Sequence, residues 1–287
     1  MATTSTGISW THRTWNPMRG CALASPGCTH CYAMARAYEI ELQGGRAGEA
    51  YAGLVTLSKG LPVWNGSGRM APDDVLNQPL RWTRPHLIFT NSMSDVFFDA
   101  FTEEEIFQVL DIMRRAHWHI FQVLTKRADR MADVVGRYLD ARGIGPLSNV
   151  WFGVSVEDQR RAEQRLPDLA RTPAAVRWVS AEPLLGPLDL EGFPAPDWIV
   201  VGGESIDHFR ASRGERARPF DITWARGIKT WSEPNGVAFH FKQLGDNPVG
   251  WSRSTRKGDA MEEFPEDLQV RDWPAAIAHI EEARLPL

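Results

Sequence analysis

The chain has only 3 cysteines among 287 residues, Cys21, Cys28 and Cys31, and all lie in one short segment. An odd number crowded together excludes a disulfide scaffold, which spreads an even number along the chain. No apolar run approaches the roughly 20 residues of a membrane span. Met1-Ala2-Thr3-Thr4-Ser5 lacks the charged and apolar regions of a signal peptide. A soluble cytoplasmic protein without membrane contact is expected. Charge of one sign does not dominate either. The net charge of −4 gives no electrostatic reason to expect a dedicated nucleic-acid-binding module, although it leaves room for a local basic patch. Internal repeats and low-complexity tracts are also missing.

What is present suffices for a sizeable core. With 43% hydrophobic residues, the length suits one large domain or two small ones, and single α/β barrels reach it. Apolar runs of strand length occur at Leu87–Thr90, His119–Leu124, Val150–Val154, Arg177–Val179, Trp198–Val201 and Val237–Phe241. Several are nearly continuous, as expected of parallel strands covered on both faces. Helical spacing lies between most of them. Thr102 and Glu105 form a capping box ahead of a helix over 102–116. Further helices are expected over 128–142 and 158–170, after Asp221, and for about 12 residues after Cys31. Residues 182–197, rich in proline and glycine, should contain no long helix. The alternation predicts an α/β fold, a parallel (β/α) barrel or partial barrel of about six to eight strands. Residues 1–245 would form it, with an inserted loop or hairpin at 44–84, and 246–287 would be a C-terminal extension.

Each expected strand ends in polar residues: Asn91 to Asp95 with Ser92 and Ser94, then Thr125-Lys126-Arg127, Ser155 with Glu157, Ser180 with Glu182, Gly202 to Ser205 with Glu204, and Lys242-Gln243. In a parallel sheet these groups collect at the carboxyl-end rim, where α/β folds bind ligands. Any single strand end is polar simply because it meets solvent; six together carry more weight. Trp118, Trp151, Trp178 and Trp198 sit at strand starts and are expected to pack at the opposite end.

The cysteines are spaced C-x6-C-x2-C, with Gly20, Pro26 and Gly27 shaping the loop. Thiolates suit iron–sulfur clusters and zinc. A closed four-iron cluster takes four cysteines, so three would leave one iron open for a substrate or cosubstrate. A structural zinc site using His30 or His12 as fourth ligand is the alternative, although His30, between two cysteines, is poorly placed to coordinate beside them.

The cysteine segment resembles the radical S-adenosylmethionine (SAM) superfamily. The wider chain resembles an uncharacterised phage- and bacteria-associated family with a three-cysteine motif. The segments carrying the likeness are Trp15-Asn16-Pro17, Ser25-Pro26-Gly27-Cys28, Phe89-Thr90-Asn91-Ser92-Met93-Ser94-Asp95, Gln122-Val123-Leu124-Thr125-Lys126-Arg127, Gly153-Val154-Ser155-Val156-Glu157, Glu182-Pro183-Leu184-Leu185-Gly186-Pro187, Val201-Gly202-Gly203-Glu204-Ser205 and Phe241-Lys242-Gln243. The resemblance implies a [4Fe-4S] cluster on Cys21, Cys28 and Cys31 whose unique iron binds SAM and cleaves it reductively to a 5′-deoxyadenosyl radical. It implies Ser92, Ser94 and Asp95 near the SAM amino group, Lys126 or Arg127 at its carboxylate, and Ser155 and Glu157 near the ribose. Glu182, Glu204 and Lys242 would face the substrate. An electron donor such as flavodoxin or ferredoxin, a nucleic-acid or nucleotide substrate, and a protein partner encoded nearby are further implications. This chain departs from the superfamily in its first cysteine gap, six residues where three are usual, and in carrying His30 before the last cysteine, where an aromatic residue is common. Two other functions compete: a non-catalytic binding protein stapled by zinc or an iron–sulfur centre, and a barrel hydrolase or lyase using Asp95, Glu157, Glu182 and Glu204.

Overall fold

The computed structural model describes residues 6–278 and 280. Seven parallel strands form one open sheet in chain order: β1 (Arg13–Trp15), β2 (Leu87–Thr90), β3 (Ile120–Thr125), β4 (Val150–Ser155), β5 (Val176–Ala181), β6 (Trp198–Gly202) and β7 (Ala238–Gln243). Every adjacent pair is parallel, so all strands end at the same rim. Helices α1 (Tyr32–Gln43), α2 (Glu103–Arg115), α3 (Ala128–Arg142), α4 (Gln159–Arg171) and α5 (Ile222–Ser232) fill the crossovers. The fold is therefore an α/β partial barrel. Between β5 and β6 no helix intervenes.

Local chemistry sets the helix starts. Thr102 Oγ1 accepts from the Glu105 amide at 3.2 Å and Glu105 returns the bond to Thr102 N at 2.8 Å, so the capping box forms. Asp158 and Asp221 cap α4 and α5 by accepting from Arg161 N at 3.0 Å and Thr223 N at 2.8 Å. Strand β1 is absent from the sequence expectation because its three residues, Arg13, Thr14 and Trp15, form no apolar run. Pairing with β2 makes it a strand.

The two faces of the sheet bury different sets of side chains, as the alternation of a strand requires. Outward residues such as Ile88, Phe121, Val123, Phe152, Val179, Val201 and Phe241 meet the helices. Inward residues at the amino ends form an aromatic floor: Trp10, Trp151, Trp178 and Trp198 are all buried. Trp178 lies with its ring 5.3 Å from both Trp10 and Trp198. Gly153 makes this possible, since a Cβ there would come within 2.5 Å of the Trp178 indole. Trp118 stands apart, half-buried, its indole N–H donated to Trp82 O at 2.7 Å.

Residues 44–84 contain the antiparallel hairpin Val55–Ser58 with Leu61–Trp64. The segment after 245 packs closely against the sheet. Asp272 N donates to Phe239 O at 2.9 Å, and Trp273 stacks 5.2 Å from Trp198, closing the floor from below. Residues 279 and 281–287 of the expected extension lie outside the described residues. No helix among the described residues is long and apolar enough to cross a membrane.

Candidate active site

The cysteine loop begins where β1 ends and lies along the carboxyl-end rim. Gly20 bridges to Ser94 in parallel, and the Ser94 hydroxyl donates to Gly20 O, which ties the loop to the turn after β2. Asn16 Oδ1 accepts from Ser92 Oγ at 3.1 Å and Met93 N at 3.0 Å, and Tyr32 Oη donates to Ser92 O at 2.8 Å. A turn Pro26–Cys28 then leads to Cys31, which caps α1.

All three cysteines line a cavity of about 960 Å³. Ser92, Ser94, Asp95, Lys126, Ser155, Glu182, Glu204 and Lys242 line it too. Glu157 does not; its side chain is fully buried behind the loop. The cysteines are free thiols and half-buried. Burial pushes the Cys21 thiol up to about 12; Asp95 adds to this, Arg127 opposes it, and the other two thiols add further. Burial, and then Cys28, also pushes Cys31 up. Thiols raised in this way are poor free nucleophiles. A bound metal centre supplies the positive charge that deprotonates them. Three soft donors within electrostatic reach of one another, beside a roomy cavity, fit a cluster that leaves one iron open.

Both histidines of the zinc alternative have other partners. His30 has Nδ1 2.8 Å from Glu204 Oε2. His12 is at the floor end, where Nδ1 accepts from Leu87 N at 3.0 Å. Among the described residues, no three His, Cys, Asp or Glu side chains converge on a single-ion site.

Several expected ligand contacts are redirected. Asp95, expected at the SAM amino group, already accepts four hydrogen bonds. Oδ1 takes Phe97 N at 2.9 Å and Thr125 Oγ1 at 2.7 Å; Oδ2 takes Lys126 N at 3.1 Å and Arg127 Nη1 at 2.9 Å. No lone pair remains for an ammonium. Arg127 gives Nη1 to Asp95 and lines the cavity, with guanidinium donors to spare. Glu157, expected at a ribose, accepts from Arg165 at 2.7 Å, from Gly27 N at 3.2 Å and from the Ser25 hydroxyl. Glu204, expected to face substrate, is bound by His30 and by Arg218, whose backbone N–H donates to it at 2.9 Å. Burial works to raise the Glu204 carboxyl, but hydrogen bonds from His30 and Arg218 overcome it and hold it at about 2. Glu157 is lowered likewise, burial being outweighed by Lys126, Arg165 and Ser25.

Lys126 and Lys242 also keep a polar end at the cavity. Lys126 Nζ donates to Ser155 Oγ at 3.0 Å. Lys242 pairs with Glu182 on the opposite wall. The four rim carboxylates are thus each paired with a cation: Asp95 with Arg127, Glu157 with Arg165, Glu182 with Lys242, Glu204 with Arg218. A hydrolase built on them would lack an unpaired general base.

Arg165 and Arg218 are not singled out by the sequence reading. Arg165 had a legible signal: it falls on the buried stripe Ala162, Leu166, Leu169 of α4, and an arginine there needs a buried carboxylate. Arg218 lies in an irregular segment and had none.

Fold and site together define an α/β partial-barrel protein with a three-cysteine loop at its carboxyl-end rim. The sequence model of one family, described as "Protein of unknown function (DUF5131)", matches residues 5–269, and the chain belongs to that family. No curated protein matches it. Similar solved structures are forms of spore photoproduct lyase. A cysteine-to-serine mutant has a TM-score of 0.41 at 13% identity, covering 70% of this chain and 58% of that one. A doubly substituted form with bound AdoMet and dinucleoside spore photoproduct has a TM-score of 0.41 at 14% identity, covering 80% and 62%. A tyrosine-to-phenylalanine mutant gives 0.39 at 13%, covering 93% and 71%. The chain spans less than two thirds of the first two lyase chains. With TM-scores below 0.5, the likeness carries no argument about function.

Proposed function

We propose that this protein is a radical SAM enzyme holding a [4Fe-4S] cluster on Cys21, Cys28 and Cys31. The observation that carries the reading is the placement of these three thiols on one loop, at the carboxyl-end rim, facing a cavity large enough for a cosubstrate. When bound, the cluster would supply an electron for reductive cleavage of SAM to methionine and a 5′-deoxyadenosyl radical.

The chain's residues would bind and orient. Lys126 would pair the SAM carboxylate, with Ser155 fixing its ammonium group. The Glu182–Lys242 pair, on the far wall, would meet the substrate. Asp95, through Arg127, would hold the turns after β2 and β3 in place. A nucleic-acid or nucleotide substrate, an electron donor of the flavodoxin or ferredoxin kind, and a protein partner are part of this proposal.

The test is anaerobic purification with measurement of iron, sulfide and zinc, followed by dithionite reduction, addition of SAM, and mass spectrometry for 5′-deoxyadenosine. About four irons per chain, with cleavage lost in Cys28→Ala, is the expected result. Stoichiometric zinc with no iron and no cleavage would overturn the proposal.

A further inference from the structure

Six residues separate Cys21 from Cys28, and a free loop of that length loses conformational entropy when it closes round any metal centre. Its second half is not free in this chain. Ser25 Oγ and Gly27 N both donate to Glu157 Oε1, and a Cβ at Gly27 would come within 2.9 Å of that oxygen. Pro26 O accepts from Arg218 Nη1 at 2.9 Å. His30, between the second and third cysteines, is bound to Glu204 at 2.8 Å. Arg218 in turn chelates Glu204, and Arg165 holds the other oxygen of Glu157 at 2.7 Å. Glu157 follows β4 and Glu204 follows β6, so two strand ends remote in sequence grip one loop from behind.

We infer that Glu157 and the His30–Glu204–Arg218 chain are positioning residues, a two-point brace that sets Cys28 and Cys31 in their ligating arrangement before any metal arrives. The inference rests on the proposed cluster site for its consequence, though the brace itself is a property of the bare chain. These residues act on the loop through the hydrogen bonds just given. Their role is to remove the ordering cost from cluster uptake, so their loss shows as faster cluster loss. Charge-assisted hydrogen bonds are the strong ones, and a loop held by several should release iron slowly.

Iron release to a chelator is followed under anaerobic conditions in the full chain and in Ser25→Ala, His30→Ala and Glu204→Gln. Amide hydrogen exchange at residues 25–31 is followed in the cluster-free chain. Each variant is expected to release iron about ten-fold faster, the size that one charge-assisted hydrogen bond supports. Gly27 should lose amide protection in Ser25→Ala while thermal unfolding of the cluster-free chain stays unchanged. Ser25→Thr, which keeps the hydroxyl, should restore slow release. His30→Ala combined with Glu204→Gln should release iron no faster than Glu204→Gln alone, because His30 acts on the loop through Glu204. Unchanged iron release with unchanged exchange in all variants overturns the brace. A wild-type chain that takes up no iron overturns the proposed function instead, and amide exchange in the cluster-free chain then decides the brace alone.

Discussion

The two ends of the same seven strands are built on opposite principles. At the floor, Trp10, Trp151, Trp178, Trp198 and Trp273 pack edge to face, tilted or stacked. The titratable group among them is His240, which burial holds well below its usual range and so keeps neutral. At the rim, four carboxylates are each paired with a cation, and these pairs hold turns in place. Aromatic packing tolerates no water and gives stability at little cost in specificity, with each ring pair adding about 0.5–1.5 kcal/mol beyond area burial. Buried ion pairs give little net stability, yet removing one partner is costly, so they fix geometry. The difference separates what keeps the sheet folded from what shapes its open end.

The comparison can be broken in four places. Trp178→Ala should be the largest stability effect, about 3–5 kcal/mol in denaturant unfolding, with the iron content of whatever remains folded unchanged. An equal loss of iron binding would mean that floor and rim are not separable. Asp95→Asn leaves Arg127 facing a neutral amide and should cost about 3 kcal/mol, with Tm the readout; a neutral result would show that the four bonds to Asp95 do not position the rim.

The third concerns pH. Glu204 is held at about 2 in the folded chain against an ordinary 4.5. Its pairing therefore stabilises the fold fully above the ordinary value, and this contribution is lost as pH falls from about 4.5 towards about 2. Glu204→Gln should flatten the acid limb of the stability curve across that window, by up to about 3 kcal/mol. Acid titration of both proteins by circular dichroism checks this. The fourth is a control on exposed charge. Arg46 and Asp74 pair in solvent, and Arg46→Ala should change stability by less than about 1 kcal/mol. A larger change would mean that surface pairs rival the rim.

Much of the scaffold was legible because strands and helices announce themselves locally. Leu87–Thr90 and the helix over 128–142 coincide with their expected spans, and the other strands shift by a residue or two at their ends. Strand β1 was not legible, since three residues carry no period. The rim carboxylates were visible as a group, because parallel strands must deliver their carboxyl ends together. Which partner each would take was hidden. Asp95 meets a residue 32 positions on, and Ser25 one 132 positions on. Pattern reading extends a few residues along the chain; these pairs are made by the sheet order.

The sequence alone therefore determined the alternating α/β scaffold, the end at which polar groups gather and the three soft donors on one loop, because periodicity, strand direction and ligand chemistry are written residue by residue. The tertiary structure alone decided that Asp95, Glu157 and Glu204 are paired with Arg127, Arg165 and Arg218 while Lys126, Glu182 and Lys242 keep a polar end at the cavity. A carboxylate reads the same on paper whether it is saturated or open, and only the donors that packing brings to it distinguish the two.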